Sequence, residues 1–60
     1  MSSTRLTLVD TIDAEVADPG QRRARREVVR EALWDAVDAG QYRGFDDALA
    51  AYVAGALVVA

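Results

Sequence analysis

The side chains of this chain that could do chemistry are arginines and carboxylates. The sequence has seven arginines and ten aspartates or glutamates, and it contains no lysine, no histidine and no cysteine. There is therefore no imidazole base, no thiolate nucleophile and no nitrogen or sulfur ligand of the kind that zinc sites use. This composition predicts that the protein is not an enzyme and that it uses no cofactor and no metal.

Two pairs of aspartates are the remaining candidates for acid–base or metal chemistry. Asp35 and Asp38 are three residues apart, and Asp46 and Asp47 are adjacent. Acid–base catalysis needs two carboxyls held in different environments within a pocket, and calcium binding needs a loop of spaced oxygen ligands. A short, alanine-rich chain leaves little volume for a pocket, so we interpret both pairs as solvated or structural.

A cluster of arginines is the strongest feature of the charge pattern. Residues 20–30 contain five arginines and one glutamate, whereas the residues on both sides of them are acidic and the whole chain has a net charge of -3. If this region is helical, its positive charges oppose the helix dipole. Phosphate groups of a nucleic acid would explain the cluster. Neutralisation by Asp10, Asp13, Glu15 and Asp18, or by the acids of a second copy, is the alternative.

The length of 60 residues allows one small domain spanning residues 1–60. A domain of this size buries only about 60% of its unfolded surface, so dimerisation is expected. Residues 48–60 are uncharged, but a membrane span needs about 20 apolar residues. We therefore predict a core or interface helix there, no membrane association, and a cytoplasmic location because no signal peptide is recognisable.

The N-terminal segment alternates between polar and apolar residues over residues 4–9, which predicts a short β-strand with Leu6 and Leu8 on its buried face. The same parity continues to residue 16, so a longer strand, a hairpin near Asp10, or a short helix capped by Asp10 also fit. We take residues 10–18 as a connector of undecided conformation.

Two helices are predicted in the rest of the chain. Asp18 and Pro19 suit the N-cap and first position of a helix over about residues 19–39, with Gly40 as its stop. Val29, Leu33 and Val37 form its apolar stripe, and Trp34 falls off that stripe. A second helix is predicted over about residues 46–57. Strand, helix and helix make a mainly α fold.

Two stretches resemble the ribbon-helix-helix superfamily of MetJ-, Arc- and CopG-like regulators and antitoxins. Residues 5–9 are similar to its alternating ribbon, and residues 38–49 are similar to the glycine turn between its two helices. In an alternative register, residues 26–33 resemble the second helix of ParD-type antitoxins. The resemblance implies an intertwined homodimer whose paired ribbons enter the major groove of double-stranded DNA.

The resemblance also implies roles for particular residues. Outward residues of the ribbon would contact base edges, backbone amides at the start of the second helix would hold a phosphate, and the arginine cluster would add phosphate contacts. The expected DNA-binding residues are Arg5, Thr7, Val9, Arg22, Arg23, Arg43, Gly44 and Phe45.

The sequence thus supports two hypotheses of function. The first is a homodimeric, sequence-specific DNA-binding transcriptional regulator, with an autorepressing antitoxin and a toxin partner as one form of it. The second is a small protein-interaction or assembly module that does not bind DNA. Its uncharged second helix would pack against a partner, and its arginines would pair with acids.

Overall fold

The computed structural model describes residues 7–59 and contains three α-helices. They are α1 (Leu8–Glu15), α2 (Pro19–Asp38) and α3 (Phe45–Val53). Over residues 7–59 there is no β-strand, so the predicted mainly α fold with an N-terminal strand is wrong in its first element. Residues 4–6 of that predicted strand, Arg5 and Leu6 among them, lie outside the described residues.

The predicted strand is replaced by α1, which begins with a side-chain cap. The Thr7 hydroxyl accepts a hydrogen bond from the backbone amide of Asp10 at 3.1 Å, and the Thr7 carbonyl accepts one from the amide of Thr11 at 3.0 Å. A threonine that accepts from the third residue of the helix is a favourable N-cap. Thr7 and Val9, predicted as outward strand residues, therefore form the cap and the first turn of a helix.

Burial explains why the helix forms in place of the strand. Leu8, Ile12 and Val16 follow one another at intervals of four, which places them on one face of a helix. Ile12 is fully buried, and Leu8 and Val16 pack against the same core. The predicted strand ended at residue 9, before Ile12 and Val16, whereas a helix over residues 8–15 buries Ile12 and brings Leu8 and Val16 to the same core.

Replacing Thr7 with alanine tests the cap directly. Thr7→Ala removes the hydroxyl that satisfies the Asp10 amide, so we expect a loss of about 1 kcal/mol in the free energy of unfolding. For a domain of this size the melting temperature should fall by roughly 4–8 °C in a thermal circular-dichroism scan. Thr7→Ser, which keeps the hydroxyl, is the matched control. Equal stability of the alanine and serine variants would contradict the cap.

α2 is the longest helix and starts and ends on strong local signals. The Asp18 carboxylate accepts a hydrogen bond from the amide of Gly20 at 2.9 Å, and Pro19 occupies the first helical position. At the other end Gly40 has a φ of 79°, a left-handed conformation that favours glycine. The amides of Gly40 and Gln41 bond back to the last turn in the pattern of a Schellman motif.

α3 ends earlier than the predicted residue 57, because Gly55 closes it in the same way. Gly55 has a φ of 80°, its amide bonds to the carbonyl of Tyr52, and the amide of Ala56 bonds to the carbonyl of Ala51. The chain then turns, and Leu57 and Val59 pack back against the core. The apolar residues after Gly55 therefore cover the core from outside a helix.

The hydrophobic core lies where α1 and α3 both pack on α2. Its fully or almost fully buried side chains are Ile12, Val29, Leu33, Ala48 and Leu49. One comes from α1, two from α2 and two from α3. This core fixes the face of α2 that is turned inward, and it leaves the Trp34 side of the helix in solvent.

Candidate functional site

The arginines of α2 divide into an inner set and an outer set. Arg22 and Arg26 of the inner set surround Asp13 of α1: Nε of Arg22 lies 3.8 Å and Nη1 of Arg26 lies 3.6 Å from Oδ1 of Asp13. Arg22 also donates hydrogen bonds to the carbonyls of Val16 and Asp13. Because all three side chains are partly exposed, each ion pair stabilises the fold by about 0–1 kcal/mol.

Arg25 belongs to the inner set and joins α2 to the C-terminal part of the chain. Its Nη2 donates to the Tyr52 hydroxyl at 3.3 Å and to the carbonyl of Val59 at 3.2 Å. The Tyr52 hydroxyl in turn donates to the Glu15 carboxylate, with Oε2 at 2.7 Å. One arginine and one tyrosine thus connect α1, α2, α3 and the segment after Gly55.

The inner arginines agree with the hypothesis of internal neutralisation for part of the cluster. Asp13 pairs with Arg22 and Arg26, and Glu15 is linked to Arg25 through Tyr52. Asp18 instead caps α2. Arg22, predicted as a DNA contact, therefore uses its guanidinium to hold α1 against α2.

The phenol of Tyr52 titrates abnormally in this network. Burial raises the pKa of Tyr52 above its ordinary value of 10.0, and the hydrogen bond to Glu15 raises it further, while Arg25 lowers it by a smaller amount. The protonated phenol is therefore the form that the fold favours, because a phenolate would lose the hydrogen bond to Glu15 and lie next to its carboxylate.

A pH series tests this network. Since the pKa is raised on folding, the stability from protonated Tyr52 is complete below pH 10.0 and is lost as the pH rises through the folded-state pKa. We expect Tyr52→Phe to lower the free energy of unfolding by about 1 kcal/mol at neutral pH. Its melting temperature should also fall less steeply than that of the native chain as the pH rises above 10.0. Tyr42→Phe is the control, and identical pH profiles for the native chain and Tyr52→Phe would contradict the network.

The outer set of side chains lies on the solvent side of α2. We define the outer stripe as Arg23, Glu27, Arg30 and Trp34, which follow one another at helical spacing and are all exposed. Within residues 7–59, neither Arg23 nor Arg30 has a carboxylate oxygen within 4.0 Å. With no ion pair to any described residue, these two arginines can contact an external partner.

Trp34 is the apolar centre of the outer stripe. It is the only tryptophan of the chain, and its side chain is 48% exposed. Its ring lies 5.0 Å from the ring of Phe45, centroid to centroid, at an interplanar angle of 37°. Phe45 packs against the core, so α3 supports one side of the indole while the other side faces solvent.

The charges on both sides of Trp34 are separated by sign. With about 100° of rotation per residue, Arg23 and Arg30 fall on one side of Trp34, which we call the basic edge. Glu27, Glu31 and Asp38 fall on the other side, which we call the acidic edge. All five side chains are exposed. The outer stripe therefore has an aromatic centre between two edges of opposite charge.

The other described residues predicted to bind DNA lie in α1 and near the start of α3. Val9 is an exposed residue of α1, and Arg43 is exposed in the connection before α3. Gly44 is the N-cap of α3 and has no side chain to cap it. Phe45 supports Trp34. Arg5 is outside the described range. Sequence reasoning passed over the pairing of Trp34 with Phe45, for which the signal was the position of Trp34 off the apolar stripe.

The aspartates considered for acid–base or metal chemistry lie on the surface of the described part of the chain. No group of three or more histidine, cysteine, aspartate or glutamate side chains comes together in that part. Asp35, Asp38, Asp46 and Asp47 are all exposed, the last two in the first turn of α3. One surface hollow is lined by Asp10, Thr11, Ala14, Glu15 and Val53, and its Glu15 is already engaged by Tyr52.

The fold and the site together describe a three-helix unit with an outward-facing, aromatic-centred helix face. Models of known families, curated proteins and solved structures give no match to the chain. The ribbon-helix-helix resemblance therefore gains no relative that supports it. Among the helices of residues 7–59, none combines the length and the apolar character that crossing a membrane requires.

Proposed function

We propose that this protein is a protein-interaction module that binds its partner through the outer stripe of α2. The exposure of Trp34 is the observation that carries the proposal. A tryptophan that is 48% exposed, supported by Phe45 and flanked by Arg23 and Arg30, combines two of the three residue types enriched in the energetic centres of protein interfaces. Burying the free face of the indole against a partner would remove a large apolar area from water.

The positive charge left for DNA argues for this function over DNA binding. Arg22, Arg25 and Arg26 are engaged inside the fold, and the acidic edge lies beside Arg23 and Arg30. A phosphate backbone approaching the outer stripe would meet Glu27, Glu31 and Asp38 as well as the arginines, which weakens the electrostatic attraction that DNA binding depends on. DNA binding through Arg23 and Arg43 is therefore the alternative, and the crosslinking experiment below would reveal it.

A site-specific photocrosslinker tests the proposal. Benzoylphenylalanine is placed at position 34 and, as a matched control, at position 28, because Val28 has the same 48% exposure on a different face of α2. In cells that express the chain, irradiation should give adducts of higher mass at position 34 that nuclease treatment does not shorten and that contain peptides of a second protein chain. Position 28 should give far fewer. Circular dichroism checks that both variants keep the helical fold.

Three results would contradict the proposal. Adducts at position 34 that nuclease removes would assign the surface to a nucleic acid. Equal adducts at positions 34 and 28 would show that exposure alone determines crosslinking. The absence of adducts at position 34 would show that the outer stripe has no macromolecular partner.

A further inference from the structure

We infer that the partner of the outer stripe is a second copy of this chain, with the two α2 helices side by side and parallel. The inference rests on the proposed function, since it uses the same surface and names what covers it. It is carried by the separation of charge about Trp34, which makes the stripe complementary to itself in one orientation.

The charge pattern disfavours partners of uniform charge. An acidic peptide or a nucleic acid would attract Arg23 and Arg30 but would lie next to the carboxylates of the acidic edge, and a basic partner would have the opposite problem. A suitable partner presents an acid-rich edge to the arginines and a basic edge to the acids. A second α2 has both edges in the same residues, at the same spacing.

Symmetry then selects the parallel orientation. When two identical helices pair about a two-fold axis that runs along them, each edge of one helix meets the opposite edge of its mate. Arg30 of one copy would then lie beside Glu27 and Glu31 of the other. In an antiparallel pair each edge meets its own equivalent, so arginines would face arginines. The parallel pair is thus the one that sets Arg30 against carboxylates of the mate while placing the two Trp34 rings near the axis.

The small core fits the same conclusion. Among residues 7–59, six hydrophobic side chains are buried. Five large apolar side chains, Trp34 among them, are about half exposed or more. A domain of this size buries only about 60% of its unfolded surface on its own, less than a larger domain does. Pairing along a helix of 20 residues, about 30 Å long, would cover the Trp34 face without changing the core.

Charge reversal provides the main test. The first variant carries Arg23→Glu and Arg30→Glu, and the second carries Glu27→Arg and Glu31→Arg. Sedimentation of the native chain should show a monomer–dimer equilibrium that weakens with salt, because screening reduces the attraction between the edges. Each variant alone should associate at least about tenfold more weakly, and an equimolar mixture should form a one-to-one heterodimer. Val28→Glu, on a different face, should associate like the native chain.

Disulfide trapping determines the orientation, because the native chain has no cysteine. Arg23 and Glu27 lie within about 20° of Trp34 around the helix, so in a parallel pair Arg23→Cys and Glu27→Cys should each form a disulfide with the same position of the mate under mild oxidation. An antiparallel pair can bring at most one of these positions to its own equivalent. Circular dichroism of the four charge and cysteine variants confirms that the fold is kept.

Different experimental results would overturn the second-copy inference and the proposed interaction function. A native chain that remains monomeric while position 34 crosslinks to a different protein would overturn the second copy and leave the interaction module in place. A dimer that is insensitive to both charge-reversal variants, or that forms only one of the two disulfides, would overturn the parallel arrangement. A monomer without crosslinks at position 34 would overturn both.

Discussion

Leu33→Ala should remove a large part of the protein's folding stability. Leu33 lies in the middle of α2 and is fully buried in the core that all three helices share. Truncating a buried leucine to alanine costs about 2–5 kcal/mol. At roughly 0.05–0.15 kcal/mol per residue, a 60-residue chain has about 3–9 kcal/mol in total. The loss is therefore a large fraction of the total stability, and the unfolding midpoint should fall accordingly.

Thermal and urea unfolding followed by circular dichroism measures this effect. Val28→Ala is the matched control, since it removes methyl groups from a half-exposed position of the same helix and should change the free energy of unfolding by less than about 1 kcal/mol. If Leu33→Ala and Val28→Ala unfold at the same urea concentration, Leu33 does not lie at the centre of the core.

Ala48→Asp should abolish the fold by a different mechanism. Ala48 is fully buried in α3, in the core it shares with α2. A carboxylate at this position would be buried without a partner, because the neighbouring core side chains are hydrocarbon. An uncompensated buried charge costs at least about 3 kcal/mol. We expect a disordered amide spectrum by NMR at neutral pH, with partial recovery of structure at acidic pH as the carboxyl becomes neutral.

Ala50→Asp is the control for this change, because Ala50 is exposed on the same helix. It introduces the same side chain with the same small helix-propensity cost, of less than about 1 kcal/mol, and its spectrum should remain that of the native fold. A folded Ala48→Asp variant would contradict the packing of α3 against α2.

The helix boundaries show what local sequence signals can determine. Asp18, Pro19 and Gly40 act through their own backbone and neighbours, and α2 spans Pro19–Asp38 where about 19–39 was predicted. Gly55 ends α3 with the same positive φ that Gly40 has at the end of α2. The apolar stripe continues to Leu57, however, and led to a predicted end of α3 about four residues too late. The residues beyond Gly55 are apolar because they pack on the core after the helix has ended.

The N-terminal element was predicted wrongly because two periodicities overlap there. Leu6 and Leu8 alternate with polar neighbours as in a strand, while Leu8 and Ile12 have the spacing of a helix. Thr7 followed by Asp10 is an N-cap signal that outweighs the short alternation once Ile12 can be buried. Short apolar patterns remain ambiguous until the core that receives them is known.

The division of the arginines could not be obtained from the sequence. Arg22 and Arg26 find Asp13, and Arg25 finds Tyr52, only after α1 and α3 have folded against α2. The sequence did place Trp34 off the apolar stripe, which is where the structure exposes it. Its support by Phe45 depends on the turn at Gly40 and the direction of α3.

The central position of α2 determines the order in which the molecule can open. Because α1 and α3 both pack mainly on α2, either can detach while the other stays, and the phenol of Tyr52 on Glu15 is the link that opposes this. Amide protons in the middle of α2, at Val29 and Leu33, should therefore exchange with solvent last, at a rate set by global unfolding. Those of α1 should exchange earlier, and earlier still when Tyr52 is replaced by phenylalanine.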